Sequence, residues 1–164
     1  MKNVLFNSFL SFLVVSSLSA HEAIEAVTFD DSNLSKEEQI HLPTGRHVIA
    51  DLHGCQSCHY TDDIENILRE AATQASATVL SITVIPFDPV LVNGQMVQGM
   101  TGTVVLSESH IAFHTWPENG FVACDIFTCG TNALPEKGLE VLLEYFKPQE
   151  TNIRILGRGM AAKN

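Results

Sequence analysis

The 164-residue sequence predicts an α/β chain of the α+β two-layer sandwich kind, a largely antiparallel sheet with two helices on one face. Three observations carry this. Two segments, 62–76 and the one opened by Pro135, repeat apolar residues at helical spacing. Six shorter segments are rich in β-branched and aromatic residues. Two of those six are joined by Pro117-Glu118-Asn119-Gly120, a tight hairpin turn. The order is β-α-β-β followed by β-β-α-β, which lets both helices cover one face of one sheet.

The elements follow in order. Residues 46–52 (RHVIADL) form the first strand. In the helix over 62–76, Asp62 is placed to cap, with Glu65 three residues on, and Ile64, Ile67, Leu68, Ala71 and Ala75 share a face. Residues 78–87 (TVLSITVIPF) read as a strand that closes at Pro86. Residues 89–101 read as a loop of unusual length containing Asn93-Gly94. A short buried strand over 103–107 precedes the hairpin strands 111–116 and 121–128. The second helix aligns Leu139, Leu142, Leu143 and Phe146, and residues 151–156 make the last strand.

Composition excludes some functions. With 45% hydrophobic and 17% charged residues the chain is globular, not disordered. Asp and Glu number 19 against 9 Lys and Arg, a net charge of −10, which argues against nucleic acid as a partner. Residues 1–20 carry one charge, Lys2, then an apolar Ser-rich run ending Ser17-Leu18-Ser19-Ala20, the pattern of a signal peptide removed before His21. That predicts a periplasmic or secreted protein with no membrane segment in its mature form, and a cytoplasmic one if the signal reading fails. An acidic arm over 21–41 and a domain over 42–164 complete the layout.

Reactive side chains are densest from Glu108 to Glu118. Strand alternation puts His110, His114 and Trp116 on one face. Pairing Trp116 with Phe121 across the turn puts His114 opposite Ala123 and Cys129 opposite Glu108. A thiol then sits beside the Glu108–Ser109 bond. The plainer reading is a strand pair with a buried cysteine and two satisfied histidines. A hydrolase triad of Ser109, His114 and Asp125 is weaker, since no Gly-x-Ser-x-Gly elbow is present.

Gly45-Arg46-His47, Ala50-Asp51-Leu52-His53-Gly54-Cys55, and the long ordered run Glu108-Ser109-His110…His114-Thr115-Trp116-Pro117-Glu118…Phe127-Thr128-Cys129-Gly130 resemble the bacterial S-adenosylmethionine decarboxylase proenzymes. The resemblance extends over about 42–157. It implies self-cleavage between Glu108 and Ser109, giving a β chain ending at Glu108 and an α chain over 109–164 whose Ser109 has become a pyruvoyl group. That pyruvoyl is the implied cofactor: it forms a Schiff base with S-adenosylmethionine, and the product feeds spermidine synthesis. By the same resemblance His114 and Thr101, where serine is usual, assist processing. Cys129 is the proton donor, Phe87 and Trp116 stack the adenine, Glu118 binds the ribose hydroxyls, and the enzyme is a homodimer. No metal is implied.

Three features depart from the family. The 89–101 loop is longer than usual. An export signal is unexpected for a consumer of S-adenosylmethionine, which keeps a pyruvoyl decarboxylase of ornithine or arginine as an alternative. Cys55-Gln56-Ser57-Cys58-His59 is a C-x-x-C-H sequence. Behind a signal peptide it reads alternatively as a c-type haem attachment site, with Met96, Met100 or Met160 as second axial ligand, or as a Cys55–Cys58 disulfide.

Overall fold

The structure, a computed structural model, describes residues 45–130 and 132–159. Its elements run β1 (Gly45–His53), α1 (Ile64–Gln74), β2 (Val79–Pro86), β3 (Val90–Val92), β4 (Gln95–Val97) and β5 (Met100–Leu106). They continue with β6 (Ser109–Trp116), β7 (Phe121–Cys129), α2 (Pro135–Phe146) and β8 (Glu150–Arg158). Six strands form one antiparallel sheet in the order β2-β5-β6-β7-β1-β8, and β3 pairs with β4 as a separate hairpin. This is the two-layer α+β arrangement that the sequence predicts.

Period-two alternation separates the faces of the sheet. Val48, Ala50 and Leu52 of β1, Ile111 and Phe113 of β6, and Val122, Cys124 and Ile126 of β7 form one buried core. Ile64, Leu68 and Ala71 of α1 and Leu139, Leu142, Leu143 and Phe146 of α2 complete it. The intervening residues, including His47, Asp51, His110, Ala112, His114 and Asp125, lie on the other face and are only half buried. Chemistry is therefore confined to the face that the helices leave open.

Two glycines let the core close. Gly102 is cross-strand partner to Phe113, and the Phe113 ring occupies the volume a Cβ at 102 would need. The ring can then lie flat on β5 and reach Phe146, 6.1 Å away between centroids. A Cβ at Gly138 would come within 2.9 Å of the Ala71 carbonyl, so glycine there permits the close approach of α2 to α1.

Two expectations need correction. Asp62 does not cap α1: the helix starts at Ile64, Asp63 is at the N-cap position, and it makes no side-chain cap bond. A turn closed by Ile64 N–H to the Thr61 carbonyl, 3.3 Å, leads into the helix instead. The 89–101 segment is not a plain loop. Asn93 and Gly94, both at positive φ, turn β3 back on β4, the geometry that favours a two-residue hairpin. Its last residues, Met100 and Thr101, belong to β5.

The proposed leader 1–20 and arm 21–41 lie outside the described residues, as does Met160. Among the described residues no helix is long and apolar enough to cross a membrane.

Gly102→Ala should destabilise the fold by about 1–3 kcal/mol through overpacking against Phe113. Urea unfolding measures this, and a change within about 0.5 kcal/mol would show that the ring is free to move aside.

Candidate functional site

The β6–β7 register is the expected one. Trp116 pairs with Phe121, His114 with Ala123 and Ser109 with Thr128. The turn that sets it is one 3₁₀ turn over Pro117–Asn119, ended by Gly120 at φ 58°. One step past the ladder, the Cys129 N–H donates to the Glu108 carbonyl oxygen at 2.9 Å. A donor aimed at that oxygen polarises the carbonyl of the Glu108–Ser109 peptide and steadies negative charge that develops there. The Cys129 side chain is exposed. The Glu108 carboxylate points elsewhere: it accepts the Thr78 N–H at 2.8 Å, and this bond holds its pKa below the ordinary value.

Ser109 is strained. Its φ is 153°, a region where a Cβ is crowded and glycine is the usual occupant, at a cost on the order of 1–3 kcal/mol. Adjacent strand residues normally face opposite ways. Here, at the first residue of β6, Ser109 Oγ reaches His110 Nδ1 at 3.1 Å. His110 Nε2 lies 3.0 Å from Asp125 Oδ2, which also meets His47 Nε2 at 3.1 Å. His47 Nδ1 in turn accepts from the Arg158 guanidinium at 2.9 Å. Arginine only donates, so the His47 proton is on Nε2, facing Asp125. The carboxylate only accepts, so neutral His110 carries its proton on Nε2 and turns the Nδ1 lone pair toward Ser109 Oγ.

This network draws on β6, β7, β1 and β8, and no short motif announces it. Sequence reading placed His110 on the right face, and only its weaker hydrolase alternative grouped Asp125 with Ser109 and His114. The structure brings Asp125 to His110 instead. His47, His110 and Asp125 also offer three ligand atoms within 4.8 Å of one another. A metal at that point would need His47 Nε2 deprotonated and its proton moved to Nδ1, where Arg158 donates. The guanidinium therefore opposes both the tautomer and the charge of a bound cation.

A second cluster lies further along the sheet. His114 lies five residues along the strand from Ser109, about 17 Å at 3.3–3.4 Å per residue. The His114 ring packs at a tilt against Trp116, 4.1 Å away, and Phe87, 4.9 Å away between centroids. Phe87 and Trp116 thus flank His114 rather than an open slot. Phe121 stacks on Trp116 at 5.2 Å between centroids. Thr101 is the cross-strand partner of His114, and its hydroxyl donates to the Phe113 carbonyl at 3.2 Å. Glu118 is exposed on the turn. Between the clusters a shallow hollow of about 320 Å³ is lined by Asp51, Thr101, Ala112, His114, Ala123 and Asp125. The small side chains at 112 and 123 leave it open, and two carboxylates make it acidic.

The Cys55-x-x-Cys58-His59 segment lies elsewhere. Cys58 is 2% exposed within the core, with its Sγ 3.8 Å from the Cys55 carbonyl. Burial pushes the Cys55 thiol up to about 12 and raises Cys58 as well. Both are protonated thiols, poor nucleophiles. Met100 is fully buried and Met96 is on the β3–β4 hairpin. Thioether attachment of a macrocycle at Cys58 would require opening the core, so the haem reading has no support in this geometry.

The S-adenosylmethionine decarboxylase family model matches residues 46–159. An S-adenosylmethionine decarboxylase proenzyme of Thermomicrobium roseum is 40% identical over 116 residues, which span 71% of this chain and 94% of that protein. Proenzymes of the same name from Methanococcus maripaludis and Acetivibrio thermocellus are 39% and 38% identical over 118 residues, 71% of this chain and 90% and 89% of theirs. The crystal structure of the adenosylmethionine decarboxylase from Aquifex aeolicus superposes with a TM-score of 0.60 at 30% identity, covering 75% of this chain and 97% of that one. The fold, the match over nearly all the described residues and the ordered run from Glu108 to Gly130 agree, and this chain belongs to the S-adenosylmethionine decarboxylase family.

Proposed function

We propose that the chain is a proenzyme that cleaves itself between Glu108 and Ser109 and then decarboxylates S-adenosylmethionine, supplying the aminopropyl donor for spermidine synthesis. The observation that carries this is the setting of the Glu108–Ser109 peptide. Its carbonyl oxygen is held by the Cys129 N–H at 2.9 Å, and the residue after it is a strained serine with a hydroxyl hydrogen-bonded to an imidazole. Attack of Ser109 Oγ on the Glu108 carbonyl carbon exchanges the amide for an ester. Loss of the Ser109 α-proton, elimination and hydrolysis then leave a pyruvoyl group at position 109.

The surroundings suit such a group. Thr128, opposite Ser109 on β7, has a buried hydroxyl without a hydrogen-bond partner, so a donor is available to an oxygen formed there. A pyruvoyl carbonyl supplies the electron sink for decarboxylation. On this reading the exposed Cys129 thiol delivers a proton to the carbon that loses CO₂. The acidic hollow favours a cationic substrate, and Trp116 with Glu118 favours a nucleoside over ornithine or arginine. A purine enters between Phe87 and Trp116 only when the His114 ring turns out of that space.

The 17 Å between the clusters has a consequence. His114, Thr101, Trp116 and Glu118 cannot act on their own chain's Ser109 in this conformation. A homodimer in which a second copy lays its helix-free face against the first would bring the two clusters together. In that arrangement each site takes Ser109 and Cys129 from one protomer and the aromatic cluster from its partner. The layout that accompanies this reading has a leader over 1–20, an arm over 21–41 and the decarboxylase domain over 42–164, with export if the leader acts as a signal and a cytoplasmic enzyme if it does not.

Ser109→Ala should give a folded, full-length protein that releases no CO₂ from carboxyl-labelled S-adenosylmethionine; normal release by that variant would end the pyruvoyl account. Cys129→Ala should still cleave, yet lose turnover or inactivate within a few cycles. Durable turnover at the wild-type rate would take Cys129 out of the proton-donor role. Co-expressed Cys129→Ala and Trp116→Ala chains, each inactive alone, should recover about a quarter of wild-type turnover, the statistical share of intact composite sites. No recovery from a mixture shown to form heterodimers would place each site within one chain.

A further inference from the structure

We propose that His110 is the catalytic base and acid for the first step of self-cleavage, with Asp125 as its positioning residue. The inference rests on the self-cleavage reading above and adds a residue to it. Three candidates could take the Ser109 hydroxyl proton from within the chain. The Glu108 carboxylate is tied to the Thr78 N–H at 2.8 Å. His114 of the same chain is five residues along the strand, about 17 Å away, and the His114 that a second copy would bring serves the later loss of the Ser109 α-proton. His110 Nδ1 is 3.1 Å from Ser109 Oγ, within reach for direct proton transfer.

The groups around His110 set which ring nitrogen carries its proton. Asp125 on β7 accepts from His110 Nε2 at 3.0 Å and from His47 Nε2 of β1 at 3.1 Å. Arg158 on β8 holds His47 in that tautomer through Nδ1. On β5 the cross-strand partner of His110 is Val105, which brings no charge. The carboxylate stabilises an imidazolium at His110 as it forms, as a buried Asp does behind a catalytic histidine. Arg158 keeps His47 donating to the same carboxylate, so Asp125 is not free to swing away.

The step balances. Ser109 Oγ bonds to the Glu108 carbonyl carbon while its proton passes to His110 Nδ1. The resulting oxyanion is held by the Cys129 N–H. The carbon–nitrogen bond to residue 109 then breaks, and the same proton passes from Nδ1 to the departing nitrogen. An ester and a free amine result, and neutral imidazole is regenerated. Both proton-exchanging atoms belong to residue 109, beside the ring that serves them.

The test follows cleavage of freshly synthesised full-length chain on denaturing gels. His110→Ala should cleave about 100-fold more slowly than wild type, and added imidazole should restore much of the rate. The ring site is accessible, with 38% of the side chain exposed. Hydroxylamine, which breaks esters, should release no fragment from the stalled variant, since no ester has formed. Asp125→Asn should slow cleavage as well. A wild-type chain that never cleaves would remove the underlying reading. A cleaving wild type with His110→Ala at the same rate would overturn only the assignment of His110. So would a stalled His110→Ala chain that melts like wild type but accumulates hydroxylamine-sensitive ester or ignores imidazole. If His110→Ala does not fold, His110→Gln makes the same comparison.

Discussion

The antiparallel register of β6 on β7 is the constraint on which the rest depends. It is set by one four-residue turn, Pro117 to Gly120, and runs without a break to Ser109 and Thr128. Because the register is exact to the residue, the next backbone group, the Cys129 N–H, meets the carbonyl of Glu108. A slip by one position would turn the intervening side chains to the opposite face and withdraw that donor. The same ladder places Asp125 beside His110. Backbone hydrogen bonds, which are rigid and cooperative, thus position groups whose chemistry demands accuracy of a few tenths of an ångström.

Two further features work against the local comfort of the chain. Ser109 has a backbone conformation that favours glycine, and the position cannot be glycine if a hydroxyl is to attack the neighbouring carbonyl. The site also sets two histidines and an arginine around one carboxylate on an open sheet face. Each imidazole there has a defined proton because its neighbours can only donate or only accept. Strain and polar crowding on this face are offset by the apolar core on the other face, where Phe146, Leu139, Leu52 and Ile126 are essentially excluded from water.

Much of this was legible in the sequence because it is local. Helical spacing placed both helices and their buried faces, and the hairpin turn placed the partner of every residue from Ser109 to Trp116. What was not legible depends on chain segments far apart. His47 and Arg158 meet because β1 lies between β7 and β8, an order that no periodicity reveals. The contact of Ser109 with His110 violates strand alternation and needs the irregular φ at residue 109. The hairpin within 89–101 was read as loop because each of its strands has only three residues. The cap of α1 was misplaced by one residue because a turn, not a side chain, leads into the helix.

The central claim is that this register prepares the Glu108–Ser109 bond to break. The most direct measurement is the intact mass of the purified wild-type protein under denaturing conditions. The account predicts two chains, one ending at Glu108 and one of residues 109–164 lighter than encoded by one ammonia, the change from serine to pyruvoyl. The mass of the first chain also reads whether residues 1–20 are removed. A single uncleaved chain, or a break at any other bond, would contradict it.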